Sequence, residues 1–247
     1  MERFYKSREV VGLTVGLVSI GVAFSPSYVF LFAVAFLSLV IAWEVSKALM
    51  FYLNPLIAVL VFLVACIHTG VGIVLSAFFS LVIGYRSWNM EDFLKALFVL
   101  IYAGVLPSYL YSIKVIDSYQ LLKLLIFVWV VDISSYYVGK NFGKHAFFPK
   151  LSPKKTWEGF IGGFVGGITF LYFASDIPVI YGCFLVLCAV IGDLFKSFIK
   201  RQVGIKDFSG VLGEHGGFTD RFDSLLFTAP VYLALVNHLV SQIQSFG

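Results

Sequence analysis

The sequence predicts an all-α, polytopic integral membrane protein, and three observations carry that prediction. First, 60% of the 247 residues are hydrophobic and only 13% are charged, about half the charged share of an ordinary soluble domain. Second, the mean hydropathy is +0.93, with 27 Phe, 13 Tyr and 4 Trp, so lipid rather than one aqueous core must be the main solvent. Third, the apolar runs lack the period-two alternation of a membrane barrel, so helices must satisfy the backbone within the bilayer. The same numbers exclude a disordered chain and, at a net charge of +4 without a basic arm, a nucleic-acid binder. Cys66, Cys183 and Cys188 lie in apolar runs without ligand spacing and read as small hydrophobes, not as a disulfide framework.

About nine apolar runs follow in order. Val10 to Phe24 comes after a basic start, a pattern shared with signal peptides. Tyr28 to Val45 ends with Trp43 and Glu44, where a carboxylate snorkelling to the interface is the simpler reading of Glu44. Phe51 to Ile67 and Gly70 to Ile83 are separated only by a short polar break near Thr69. Leu94 to Tyr111 and Leu121 to Val138 bracket Lys114. Phe160 to Ala174 begins beside Gly159, Gly162, Gly163, Gly166 and Gly167, small residues four apart that let helices approach closely. Ile177 to Ile191 is set off by Asp176, and Leu225 to Val240 closes the series. Several runs are nearer 15 residues than the ~20 that a perpendicular span needs.

Cations orient the runs, because cytosolic loops retain Lys and Arg. With the N-terminus in the cytosol, 16 of the 18 Lys and Arg fall on the cytosolic side, and only Lys114 and Lys123 lie near the outer face. Loss of the first run as a signal peptide would break this parity. Two regions are expected: N-terminal membrane helices over 1–130, and a C-terminal catalytic region over 131–247 that carries polar segments at 139–159 and 193–223.

The chemistry concentrates in those polar segments. If the eighth helix continues past the membrane face, Asp193, Lys196, Ser197, Lys200 and Arg201 share one stripe. Lys196 alone reads equally as a snorkelling cation, but a carboxylate at the end of an apolar helix is costly unless paired or metal-bound. Lys206 and Asp207 lead into Gly210, Gly213, Gly216 and Gly217, a loop whose backbone can approach a phosphate. Asp220 and Asp223 stand three apart beside Arg221, a pattern suited to a divalent metal with a phosphate clamp. Helix capping would explain one of these Asp residues but not the whole set. In the earlier segment Lys154 and Lys155 offer compact cations and Thr156 a hydroxyl for phosphate oxygens. Lys140, Lys144 and Lys150 are explained as well by a cytosolic loop. Asp132, near the cytosolic half of its span, either serves the same polar cavity or bridges to a lysine.

From Ser197 to Asp223 the chain reads SFIKRQVGIKDFSGVLGEHGGFTDRFD, and Ser152 to Gly159 reads SPKKTWEG. Together with Gly192, Asp193, Asp132, Tyr136, Gly139, Lys140, Gly143 and Lys144, these stretches resemble the phosphatidate cytidylyltransferase (CDP-diacylglycerol synthase) family, and Trp43 with Glu44 also resembles a pair of that family. Gly213 stands where that family commonly has Pro, and Ser135 where a small Ala is usual. The resemblance implies a membrane-embedded, Mg²⁺-dependent nucleotidyltransferase of phospholipid biosynthesis. Its expected partners are CTP, phosphatidate and the lipid bilayer, its expected location is the inner (cytoplasmic) membrane with the site facing the cytosol, and its expected assembly is a homodimer.

The implied reaction, CTP plus phosphatidate giving CDP-diacylglycerol and pyrophosphate, fits these residue types. A phosphomonoester with a second pKa of about 6 is already mostly ionised and needs no strong base, whereas two approaching anions need neutralisation. Asp193 and Asp220 are therefore the expected principal metal ligands, with Asp223 in support, and a second cation beside Mg²⁺ stays open. Lys200, Arg201, Lys206 and Arg221, with Lys154, Lys155 and Thr156, would divide between nucleotide and lipid phosphates, and Lys144, Ser197, Asp207 and Asp132 are further expected substrate-binding residues. His215 either donates to the leaving group or holds the glycine loop. The rival readings are a CTP-dependent polyprenol or lipid kinase and, further off, an ion-coupled transporter, although no internal repeat is visible.

Overall fold

A computed structural model describes residues 8–174, 177–213 and 216–245. Among these residues the chain is almost wholly helical, and each apolar run of the sequence has a helix: α1 (Arg8–Phe24), α2 (Ser27–Ala48), α3 (Pro55–Ile67), α4 (Thr69–Ser87), α5 (Met90–Val99), α6 (Leu106–Ile116), α7 (Ser118–Phe142), α8 (Trp157–Ala174), α9 (Val179–Gln202) and α10 (Thr219–Ser245). A two-stranded antiparallel hairpin of β1 (Ala146–Phe148) and β2 (Ser152–Thr156) joins α7 to α8, an element that the all-α expectation did not contain. Among the described residues six helical rods are long and apolar enough to cross a membrane: α2, α4, Met90–Ile116, α7, α8 and α9. In α1 the apolar stretch Thr14–Phe24 is shorter, as is α3.

The fifth apolar run is one rod with a widened centre, since α5 passes through a π-helical stretch, Leu100–Val105, into α6. Pro107 at the start of α6 has no N–H and its ring would collide with the carbonyl one turn back, so the backbone opens there. Gly104 in the opened turn lies against α3, where a Cβ would sit 2.8 Å from Val61 and 3.0 Å from the Ala58 carbonyl.

The chain forms two compact units. One comprises Met1–Ser118 with Val203–Phe222 and holds α1 to α6. Its core includes Phe30, Ile41, Phe62 and Leu100. Lys114, expected near the outer face, is buried here and donates at 2.6 Å to both the Ala23 carbonyl and the Ser118 hydroxyl, which satisfies an ammonium that apolar surroundings would otherwise penalise. The other unit comprises Tyr119–Gln202 with Asp223–Gly247 and holds α7, the hairpin, α8, α9 and α10 from Asp223 onward.

Within the second unit the glycine stripe of α8 faces α7. A Cβ at Gly163 would overlap the Ser135 hydroxyl, one at Gly166 would overlap Ser134, and one at Gly167 would lie 2.8 Å from Val131. The sequence-based expectation of close helix approach therefore holds, and Ser135 is the residue against which Gly163 packs. Gly163→Val is expected to cost about 1–3 kcal/mol by overpacking, read as a lower melting temperature in detergent micelles.

Candidate active site

The most polar part of the second unit is built from three helices and the hairpin. Gly192 on α9 has no side chain where a Cβ would fall 2.8 Å from the Asp223 carbonyl and 3.0 Å from the Ser224 Cα. The absent Cβ lets α9 and α10 touch, and the Phe195 and Phe227 rings meet beside the contact with centroids 5.1 Å apart and planes inclined at 56°. Asp193, the next residue, consequently lies within electrostatic reach of Asp223 on α10. Lys196, one turn further along α9, places its Nζ 3.1 Å from Asp193 Oδ1 and 2.9 Å from Asp223 Oδ2. Lys155 from β2 pairs with the other oxygen of Asp193, Oδ2.

The cluster is unevenly charged. Asp132 on α7 is solvent-accessible and lies within the electrostatic influence of Asp193, Asp223, Lys196 and Lys155. Three carboxylates thus face two ammonium groups, a formal excess of one negative charge. Asp223 is the most deeply placed, at 4% side-chain exposure against 29% for Asp193. Its Oδ2 is buried and lies 2.9 Å from the Lys196 ammonium. A buried carboxylate can also take a hard cation.

The hairpin separates two lysines that are adjacent in sequence. Successive residues of a strand point to opposite faces, so Lys155 turns inward to Asp193 while Lys154 is exposed. Thr156 accepts a hydrogen bond from the Gly159 N–H at 3.1 Å, capping the start of α8. Glu158, in that first turn, accepts from the backbone N–H groups of Lys144 and His145 at 3.1 and 3.3 Å and meets the His145 ring Nδ1 at 2.6 Å. Phe147 anchors the strands from beneath, its ring centroid 4.4 Å from Trp157 and 5.0 Å from Phe160. Arg201, exposed at the end of α9, donates from Nε to the Leu151 carbonyl at 3.2 Å. The Lys144 side chain is exposed beside this hairpin.

The first unit carries the glycine loop and Asp220. Asp220 Oδ2 accepts from the N–H groups of Phe208 at 3.0 Å and Gly217 at 3.1 Å, closing the loop upon the first turn of α10. Gly216 has φ +76°, a left-handed conformation natural to glycine, and a Cβ there would fall 2.7 Å from Asp220 Oδ2 and 3.2 Å from Asp207 Oδ1. Beside Gly217 the close group is Glu44 of α2, whose carboxylate a Cβ would overlap. Two of the four loop glycines thus admit carboxylates of the chain itself. Gly210 and Gly213, the latter at φ +63°, border open space.

Asp132, Lys155, Asp193 and Asp223 of the expected residues come together in one cluster, and Asp207 and Asp220 approach each other across Gly216. Ser197 donates to the Asp193 carbonyl at 2.9 Å, a bond internal to α9. Lys200 is half-buried, whereas Lys206 and Arg221 are exposed. His215 lies outside the described residues.

Sequence reasoning undervalued two residues. Lys196 read equally as a snorkelling cation and as a member of the Asp193 stripe, and its spacing of three from Asp193 was the signal that favours the ion pair. Glu44 read as a snorkelling carboxylate, yet it is fully buried and hydrogen-bonded to residues more than 160 positions away, which no local pattern encodes.

The profile of the cytidylyltransferase family matches residues 6–239. A protein of Aquifex aeolicus (strain VF5) named phosphatidate cytidylyltransferase is 44% identical over 243 residues, covering 94% of this chain and 92% of that protein. Proteins of the same name from Bacillus subtilis (strain 168) and Staphylococcus aureus (strain COL) are 37% and 36% identical over 142 and 157 residues, covering 53% and 59% of this chain and 53% and 60% of their own lengths.

Proposed function

The chain belongs to the cytidylyltransferase family, and from that premise we propose that it joins CTP to phosphatidate, giving CDP-diacylglycerol and pyrophosphate. An oxygen of the lipid phosphate attacks the α-phosphorus of CTP. The bond from that phosphorus to the β-phosphate bridging oxygen breaks, and pyrophosphate leaves with the electron pair. The enzyme is a nucleotidyltransferase of phospholipid biosynthesis and a multi-pass membrane protein.

The observation that carries the chemical reading is the Lys155–Asp193–Lys196–Asp223 chain of ion pairs, with Asp132 beside it. Ammonium groups held by carboxylates are pre-positioned cations, and they can exchange part of their pairing for phosphate oxygens as substrates arrive. Exposed Lys144, Lys154, Lys206, Arg201 and Arg221, with Lys200, would share the remaining phosphate charge. No strong general base is needed, because the attacking phosphomonoester is already largely ionised.

The carboxylates also suit Mg²⁺. Among the described residues no three acidic, imidazole or thiol groups converge on one point, but Mg²⁺ needs only one or two carboxylates plus waters and substrate phosphates. The excess negative charge of the cluster leaves capacity for it. Asp193 and Asp223 would hold the ion, and Asp220 remains a proposed ligand. When bound, Mg²⁺ would neutralise charge on the transferring phosphate.

The placement follows from solubility. A lipid whose every buried CH₂ is worth about 0.8 kcal/mol stays in the bilayer, so the nucleotide must come to the headgroup plane. Nine crossings with the cation-rich face in the cytosol would set a polar cavity at the inner surface of the bacterial inner membrane, in a homodimer.

Asp220→Ala and Asp220→Asn test the site. Asparagine keeps a carbonyl acceptor for the two loop amides but loses the charge. Both variants, purified and folded, are expected to lose on the order of 100-fold or more in turnover with CTP and Mg²⁺. Near wild-type turnover of Asp220→Asn would remove Asp220 from the ligand set. Release of pyrophosphate rather than CDP separates this reaction from a lipid kinase.

A further inference from the structure

Glu44 lies near the C-terminal end of α2, and its side chain has no solvent exposure. Burying a carboxylate is costly unless it is paired or fully hydrogen-bonded. Here the second solution applies: among the described residues no lysine or arginine forms an ion pair with it. Instead Oε1 accepts from the Ser209 hydroxyl at 2.5 Å and the Phe218 N–H at 3.0 Å. Oε2 accepts from the Thr219 N–H and the Thr219 hydroxyl, each at 2.7 Å.

These donors are not scattered. Phe218 accepts the first backbone bond of α10, from Phe222 N–H at 3.2 Å, and so stands at the helix N-cap with Thr219 next. A helix start has N–H groups without intrahelical partners and a partial positive charge. In most helices the residue at the cap supplies the acceptor from its own side chain, but Phe218 has none to give. Glu44 supplies it from a helix more than 160 residues earlier, while Asp220 takes the neighbouring Gly217 N–H. Three consecutive amides, Gly217, Phe218 and Thr219, are thus held by two carboxylates. Gly217 belongs to the same device, since a side chain there would occupy the space of the Glu44 carboxylate.

We propose that Glu44 is a positioning residue for the transfer reaction: it caps α10 from α2, ties down both ends of the glycine loop through Ser209 and Thr219, and thereby fixes the direction in which the first turn presents Asp220 and Arg221. This rests on the reading of Asp220 as a functional carboxylate. The N-terminal helices then do more than anchor the enzyme, because one of them sets the geometry of a catalytic segment.

The test compares Glu44→Gln, Ser209→Ala and Asp220→Asn in the purified full-length protein. Glutamine preserves shape but presents an NH₂ donor to one of the two donor pairs. Amide hydrogen exchange of residues 217–219, measured without Mg²⁺ or nucleotide, is expected to accelerate at least about tenfold in Glu44→Gln and less in Ser209→Ala. Turnover is expected to fall at least about tenfold in Glu44→Gln, with KM for CTP within about twofold of wild type, since binding groups elsewhere are untouched. Wild-type kcat, or a loss confined to KM, overturns the proposal. Should Glu44→Gln fail to fold, Ser209→Ala decides: unchanged exchange together with unchanged kcat overturns it. A fully active Asp220→Asn removes the reading of Asp220 itself, whereas an inactive Asp220→Asn beside a wild-type Glu44→Gln removes only the role of Glu44.

Discussion

Asp193→Asn is expected to lower turnover by about 1,000-fold or more, equivalent to about 4 kcal/mol of transition-state stabilisation. Asp193 is the carboxylate on which both ammonium groups of the cluster converge, Lys155 through one oxygen and Lys196 through the other. The amide keeps the size and loses the charge, so it holds neither lysine as an ion pair and binds a divalent cation poorly. Stability should change less than activity, because Lys196 keeps Asp223 and Lys155 is 29% exposed and can be hydrated. Pyrophosphate release from CTP with phosphatidate in mixed micelles, beside a melting curve of the same preparation, measures both. Turnover within tenfold of wild type in a folded Asp193→Asn protein would take the centre of the mechanism away.

Lys196→Met should do the opposite, striking stability hardest. Its ammonium is 12% exposed and joins Asp193 to an Asp223 side chain exposed by only 4%. Removing one partner of a buried pair leaves an uncompensated charge, which costs about 3–5 kcal/mol. Here the stranded group is Asp223, whose side chain is exposed by only 4%. The double variant Lys196→Met with Asp223→Leu removes both charges and is expected to recover much of the lost melting temperature. It should remain inactive, because a stable apolar replacement cannot neutralise phosphate. Recovered activity in the double variant would show the pair to be scaffolding alone.

The two variants separate roles that one salt bridge can hide. A pair kept for folding can be replaced by matched hydrophobes, whereas a pair kept for chemistry cannot. The formal excess of negative charge, three carboxylates to two ammonium groups, favours chemistry, since a purely structural network would gain from balance.

Much of this protein was determined by its sequence alone. Low charge and long apolar runs dictate membrane helices, and each run from Val10–Phe24 to Leu225–Val240 has its helix in the structure. Hydrophobicity is a local property summed along the chain, so it survives reading in one dimension. Asp193 and Asp223, which the structure brings together, stood out for a related reason: a carboxylate at the end of an apolar segment is costly, and that cost shows without a fold. The spacing of Gly159, Gly163 and Gly167 likewise announced a close helix contact.

Only the tertiary structure decided which groups meet. That Lys155 and not Lys154 reaches Asp193 depends on a strand's alternation in a segment expected to be a loop. That Asp223 shares Lys196 with Asp193 depends on Gly192 letting two helices touch. That Glu44 caps α10 depends on packing between positions more than 160 residues apart. Partner choice is set by the three-dimensional path of the backbone, and an ion pair or cap of that separation leaves no periodicity in the chain to read.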